Sequence, residues 1–497
     1  MKRLLLYTIG LALALSSCTK EGDQQERGLS GSFADFSGNY SGSNGYINGG
    51  DGENYNTIVE NPFITVEAEP TSTFSIDADG ASFSNVRRFL NQNQLPPVDA
   101  IRTEELVNYF NYDYESPTGA DPIALNGEVS SCPWAPSHRL VRIGIKGREI
   151  QEFPPSNMVL LIDVSGSMSS EDKLPLLRES FKLFVDELSA DDRLAIVTYA
   201  GQAGLLLPST PGSEKAVIKS AIDKLGAGGS TAGAEGIITA YQIAQQNFIT
   251  GGNNRVILGT DGDFNVGPAS QEELVSLIEE KRELGIFLTV LGVGTGNLND
   301  AMLEQVADNG NGTYEYIDNL DQAKKVFLYE FGKFYTVAKD VKVQVDFNPS
   351  VVHSYRLIGY ENRLLENEDF EDDQKDAGEI GAGQTITALY EIIPASGGST
   401  LNVPTFSIDF RYKLPDGDAS TLLNLEVADQ GDSFTQASES MRFAASVASF
   451  GLLLRDSEYQ GETSYEQVRQ WAGSAADFDP YGFRQEFLQL VERAAGL

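Results

Sequence analysis

The chain has 497 residues, 72 of them acidic and 36 basic, for a formal charge of −36. That length exceeds what one hydrophobic core supports and predicts roughly two to four domains, while so acidic a surface repels phosphate backbones and excludes nucleic acid as a partner. The only two histidines, His138 and His353, stand at no ligand spacing from another nitrogen or sulfur, which excludes a His/Cys zinc site and leaves a Ser-His-Asp proposal without a recognisable base.

The chain opens "MKRLLLYTIGLALALSSC", with Lys2 and Arg3, an apolar run from Leu4 to Leu15, and then small residues. This is the layout of a secretory signal, too short to span a membrane as a permanent helix. Leu15, Ser16, Ser17 and Cys18 resemble the bacterial lipobox, so residues 1–18 are expected to be a lipoprotein signal peptide with Cys18 lipidated as the new first residue. Several acyl chains, at about 0.8 kcal/mol per buried methylene, would hold the protein on a membrane without crossing it. Cys132 is then a lone thiol, and no intrachain disulfide is expected. Residues 19–60, rich in Gly, Ser, Asn and acids, bury too little surface to order themselves and read as a flexible tether. Thr19 follows the cysteine in place of the Asp that resembles an inner-membrane retention signal, which points to the outer membrane.

Residues 61–150 read as a small N-terminal α/β module. "TFSIDADG" is a strand running into a turn, "SFSNVRRFLNQ" has helical apolar spacing, and "LPPVDAIRTEELVNYF" predicts a Pro-initiated helix with Asp99 near its start. The Asp-x-Asp of "FSIDADGA" is how phosphoaspartate hydrolases begin, but Ala81 stands where they need Thr or Val and no lysine motif follows; a polar turn is expected. Residues 155–335 alternate near-continuous aliphatic strands ("NMVLLIDVS", "DRLAIVTYA", "NRVILGTDG", "GIFLTVLGVG") with amphipathic helices. This predicts a doubly wound parallel sheet covered on both faces. Residues 336–497 turn strand-rich between Gly, Pro, Asp and Asn turns, as in a β-sandwich, and end in helices. The earlier strand "RLVRIGIKG" suits the same sandwich, which would make the α/β domain an insertion between its pieces.

In an open parallel sheet, ligands gather at the carboxyl ends of strands. "MVLLIDVSGS" delivers Asp163, Ser165 and Ser167 to that edge, "GGSTAG" delivers Thr231, and "RVILGTDG" ends in Asp261. Two carboxylates and three hydroxyls are hard oxygen ligands suited to Mg²⁺, with Mn²⁺ and Ca²⁺ the other fits. Asp163-x-Ser165-x-Ser167, then Thr231, then Asp261 resembles the metal-ion-dependent adhesion site of the von Willebrand factor type A fold. "SIDADGASFSNVRRFLNQ" and "YRLIGYENRLLENEDFEDDQKDAGEIGAGQTITALYE" resemble the segments that bracket such a domain in bacterial lipoproteins.

The resemblance implies that the hydroxyls bind the cation directly, that the acids act directly or through water, and that a carboxylate from a protein partner completes the shell. The expected partner is an envelope protein offering one Asp or Glu on a neutral or basic surface. Salt screens the repulsion between acidic surfaces beyond about 8 Å. No convincing nucleophile or general base accompanies the acids, so binding is expected rather than catalysis; the alternatives are a metal-dependent hydrolase and a structural lipoprotein whose metal only stabilises the fold. Two other motifs fall short. "DGDFNVGPASQE" places Val266 where a calcium loop needs glycine, and "GVGTGN" places Asn297 where a dinucleotide loop needs its last glycine.

Overall fold

The computed structural model describes residues 52–76, 79–200, 204–229, 233–262, 271–396 and 403–497. Before the α/β domain the chain forms β1 (Ile64–Thr65), β2 (Thr71–Ser75), α1 (Ala81–Asn91), α2 (Thr103–Asn108), β3 (Ile123–Ser131) and β4 (Arg139–Gly147). The α/β domain follows with β5 (Ser156–Asp163), α3 (Leu174–Glu187), β6 (Arg193–Tyr199), β7 (Gly204–Pro211), α4 (Lys215–Ile222) and α5 (Gly233–Gln246). It continues through β8 (Asn253–Thr260), α6 (Gln271–Glu283), β9 (Ile286–Val293), α7 (Asp300–Asp308), β10 (Tyr314–Ile317) and α8 (Leu320–Lys324). The remainder is β11 (Thr336–Phe347), β12 (Val352–Ile358), β13 (Gly378–Gly381), β14 (Thr385–Pro394), β15 (Pro404–Lys413), β16 (Ser420–Ala428) and helices α9 (Glu439–Leu454), α10 (Tyr465–Gly473) and α11 (Phe483–Ala494).

Every residue of β5 is buried. Side chains alternate between the faces of a strand, so an apolar run fills both. Met158, Leu160 and Ile162 pack with Leu177, Phe181 and Phe184 of α3, while Val159 and Leu161 pack with Ile237, Ala240 and Tyr241 of α5 on the other face. Each such side chain contributes roughly 1.5–3 kcal/mol by leaving water. The sheet order is β10-β9-β8-β5-β6-β7. Its pairs are parallel except for β7, which runs antiparallel to β6. The all-parallel expectation is therefore corrected at one edge. Only residues 200–203 separate β6 from β7, and a parallel crossover needs a dozen residues or more.

The segments flanking this domain build one sandwich. In one sheet, β3 and β4 from the N-terminal side continue through β14 and β12 from the C-terminal side to β1. In the other, β11 pairs β15 on one side and β2 and β13 on the other, and β15 carries β16 outward. Phe347 on β11 stacks on Tyr355 of β12 at 4.3 Å and meets Tyr390 of β14 edge-on at 5.3 Å, so the two inner faces interlock. "RLVRIGIKG" lies within the sandwich, and the α/β domain enters after β4 and leaves before β11.

On the outer face of the first sheet, Leu140, Ile358 and Leu389 pack with α1, α2 and the C-terminal helices in a separate aromatic-rich cluster. The long helix expected over "LPPVDAIRTEELVNYF" is broken. A short 3₁₀ turn at Val98–Ala100 gives way to extended backbone at Ile101 and Arg102 before α2. The break lets the Arg102 N–H donate to Ser82 Oγ at 2.9 Å while its buried guanidinium pairs with Glu105 and Asp300. Cys132 is a buried free thiol, its pKa raised by burial beside Glu391.

Candidate metal centre

Strand order places the site. Following the chain from β5, the sheet grows through β6 and β7 on one side; from β8 it grows through β9 and β10 on the other. Between β5 and β8 the winding reverses, and loops leaving their carboxyl ends diverge into a crevice. Register pairs Ile162 with Gly259, so β5 ends in Asp163 and β8 in Thr260 on the same edge, with Asp261 next along the chain.

Asp163 is fully buried and accepts hydrogen bonds from the Ser165 N–H at 2.8 Å and from Thr260 Oγ1 at 3.3 Å. The first folds the chain back so that Ser165 opens the 3₁₀ turn Gly166–Ser169 and brings the Ser165 and Ser167 hydroxyls to 2.9 Å from one another. The Gly228 N–H donates to Val164 O at 2.7 Å and the Gly166 N–H to Gly229 O at 3.4 Å, fastening this turn to the loop that leads toward position 231. Thr231 itself lies outside the described residues, as do Cys18, Asp77 and most of the calcium-loop motif, residues 263–270.

Asp261 is also fully buried. Burial raises its pKa, but hydrogen bonds from Ser167, Asn297 and Lys173 outweigh that and hold the carboxyl below its usual range. The Lys173 ammonium lies 2.9 Å from Asp261 Oδ2 and donates to Asn297 Oδ1 at 2.8 Å. Asp163 differs. Burial, with the charge of Asp261 adding, pushes it up to about 6 against hydrogen bonds from Ser165 and Tyr199. The two acids thus face one crevice with different protonation behaviour, because Asp261 has Lys173, Ser167 and Asn297 as donors whereas burial dominates at Asp163.

Sequence reasoning brought Asp163, Ser165, Ser167 and Asp261 to this edge and missed Lys173, Tyr199, Thr260 and Asn297. Lys173, at the head of an amphipathic helix, reads as a solvated cation. Its burial depends on Gly294 in the β9–α7 turn, whose φ is +78° and where a Cβ would fall 2.3 Å from Lys173 Cγ. "GVGTGN" is therefore a strand-end turn, whose Asn297 supports the site. The other motif set aside also has a plain role, since Asp79 accepts the Tyr314 N–H at 2.9 Å.

The donor chemistry suits a hard cation: two carboxylates and two adjacent hydroxyls, all oxygen. No group of three or more His, Cys, Asp or Glu that could hold a metal occurs among the described residues. A cation here would need the hydroxyls to complete its shell.

Residues 157–328 match the von Willebrand factor type A domain family, residues 50–142 a family described as von Willebrand factor, and residues 332–497 the C-terminal domain of uncharacterized protein YfbK. The chain is 45% identical over 476 residues to uncharacterized protein YfbK of Escherichia coli, covering 89% of this chain and 81% of that protein. The chain belongs to the YfbK family. Within it, the α/β domain is a von Willebrand factor type A domain. A UPF0353 protein of Mycolicibacterium gilvum is 31% identical over 213 residues, 37% of this chain, and the chain spans 63% of that relative's length. Among solved structures, a von Willebrand factor type A protein from Catenulispora acidiphila is similar at 18% identity, with a TM-score of 0.42 over 76% of this chain and 91% of that one. The conserved hypothetical protein BatB from Bacteroides thetaiotaomicron is similar at 24% identity, with a TM-score of 0.32 over 36% of this chain and 98% of that one. The YfbK architecture in this chain is thus a type A domain carried on a sandwich built from both of its flanks.

Proposed function

We propose that the chain is a lipid-anchored cell-envelope protein that captures a protein partner through a divalent cation held by Asp163, Ser165, Ser167, Thr231 and Asp261. The observation that carries this reading is the convergence, at the switch point between β5 and β8, of the buried Asp261 carboxyl with the Ser165 and Ser167 hydroxyls 2.9 Å apart. A bound Mg²⁺ would supply an electrophilic position for an Asp or Glu of the partner, and Mn²⁺ or Ca²⁺ suits the same oxygen set. Neutral hydroxyls supply ligand oxygens without cancelling the cation's charge, leaving it attractive to one more anion. Membership in the type A family, whose domains often mediate protein interactions, supports binding.

The amino-terminal pattern ending in Cys18 supports an anchor, with the outer membrane as the proposed site. Among the described residues no helix is long and apolar enough to cross a membrane.

The test is crosslinking and capture of envelope proteins with and without Mg²⁺, comparing wild type with Asp163→Ala and Asp261→Ala. Capture should require Mg²⁺ and be lost in both variants while their circular dichroism stays native. Equal capture by both variants in EDTA refutes the reading. Cys18→Ser should release the protein from membranes, and retention with no lipid detectable by mass spectrometry refutes the anchor.

A further inference from the structure

A cavity of about 500 Å³, lined by none of Asp163, Ser165, Ser167 or Asp261, opens where the α/β domain, the sandwich and the segment before α11 meet. Its size lies within the roughly 300–1,000 Å³ of ligand sites, and such junctions are where those sites recur. Its polar floor is electrically closed. Lys325 pairs with Glu330, Lys333 pairs with Glu315, and Lys146 stands 3.8 Å from Glu149. Each cation lining the pocket thus has an acid of its own, and a charged ligand would have to break a pair to gain one.

Its rim is aromatic and uncharged. Phe153 stacks on Tyr335 at 4.3 Å, and Tyr329 stacks on Tyr481 at 4.3 Å with planes 7° apart. Phe153, Tyr329 and Tyr481 nonetheless remain 42%, 41% and 43% exposed, so stacking uses part of each ring and leaves the rest toward solvent. Gln151 and Gln384 also line the pocket, and their amides carry both donors and acceptors, with Gln384 Oε1 accepting the Gly381 N–H at 2.8 Å.

Flat apolar faces beside neutral hydrogen-bonding groups suit one class of ligand, which carries hydroxyl or amide groups on its edges, C–H surfaces on its faces, and no net charge. We propose that this pocket binds a neutral oligosaccharide, its sugar faces on Phe153, Tyr329 and Tyr481 and its hydroxyls on the amides. The site is separate from the metal centre and does not depend on it.

Calorimetric titration of the full chain with N-acetylated chitotriose and with maltotriose tests this. At least one trisaccharide should bind saturably, equally well in EDTA and in Asp163→Ala, and about 5-fold or more weakly in Tyr481→Ala and Phe153→Ala. Both rings are partly exposed, and Phe153→Leu and Tyr481→Leu provide milder variants should either alanine variant fail to fold. The proposal is overturned by absence of saturable binding to both sugars, by affinity unaltered in the ring variants, by loss in EDTA, or by tighter binding of the deacetylated, cationic glucosamine trimer.

Discussion

The Lys173 ammonium and the Asp261 carboxylate form a buried ion pair at 2.9 Å, at the carboxyl edge of the type A sheet. The lysine is an internal cation seated on one of the acids proposed to hold a metal. Two cations sharing one carboxylate repel each other, by about 4 kcal/mol for unit charges at 4 Å in a medium of effective dielectric 20.

Replacing Lys173 by Met should therefore tighten Mg²⁺ binding by about tenfold, part of the gain being lost because Asp261 forfeits a donor that orients it. Calorimetric titration with Mg²⁺ reads this directly. Unchanged or weaker affinity would mean that Lys173 only positions Asp261.

Arg87 joins α1 to both the type A domain and α11. Fully buried, it pairs with Asp318 at 2.5 Å and Glu486 at 3.1 Å and donates to Tyr109 Oη at 2.8 Å and Gln322 Oε1 at 3.0 Å. Removing one partner of a buried pair strands the other's charge, so Arg87→Ala should cost about 3–5 kcal/mol. Urea unfolding measures that cost. A loss under about 1 kcal/mol would show that water reaches Asp318 once the arginine is gone.

Glu304 is buried 3.6 Å from Arg102, which already pairs with Glu105 and Asp300. Burial, with Asp308 and Asp300 adding, outweighs Arg102 and Arg363 and pushes its carboxyl up to about 7. A folded pKa above the unfolded value means that the folded chain binds this proton more tightly. The associated stability is complete below about pH 4.5 and lost as pH rises through 7. Glu304→Gln should flatten the stability profile across that window and raise the unfolding free energy read from urea melts at pH 7.5 by on the order of 2–3 kcal/mol. An unaltered slope between pH 5 and 7.5 would place the proton on another acid of the cluster.

Much of this molecule is legible along the chain because its signals are local. An unbroken aliphatic run such as Val159–Ile162 can be satisfied only by burial on both faces, and an acid with two alternate serines at its exit reads as a polar strand end. Helices α1, α9, α10 and α11 follow from apolar periodicity, Ser438 and Ser464 capping α9 and α10 as their side chains accept from Met441 N and Gln467 N. The reversal of β7 and the break at Ile101–Arg102 were not legible, since one is decided by loop length and the other by a guanidinium seeking carboxylates nearly 200 residues away.

By itself the sequence determined which residues must be buried, where polar turns interrupt them, and that Asp163, Ser165, Ser167 and Asp261 stand at strand ends. Only the tertiary structure decided that β5 and β8 lie side by side, that β4 from one flank pairs with β14 from the other, and that Lys173 reaches Asp261. The physical reason is the same for each: periodicity fixes the direction of a side chain relative to its own strand or helix, whereas pairing order and buried charge partners are settled by which distant segments exclude water together.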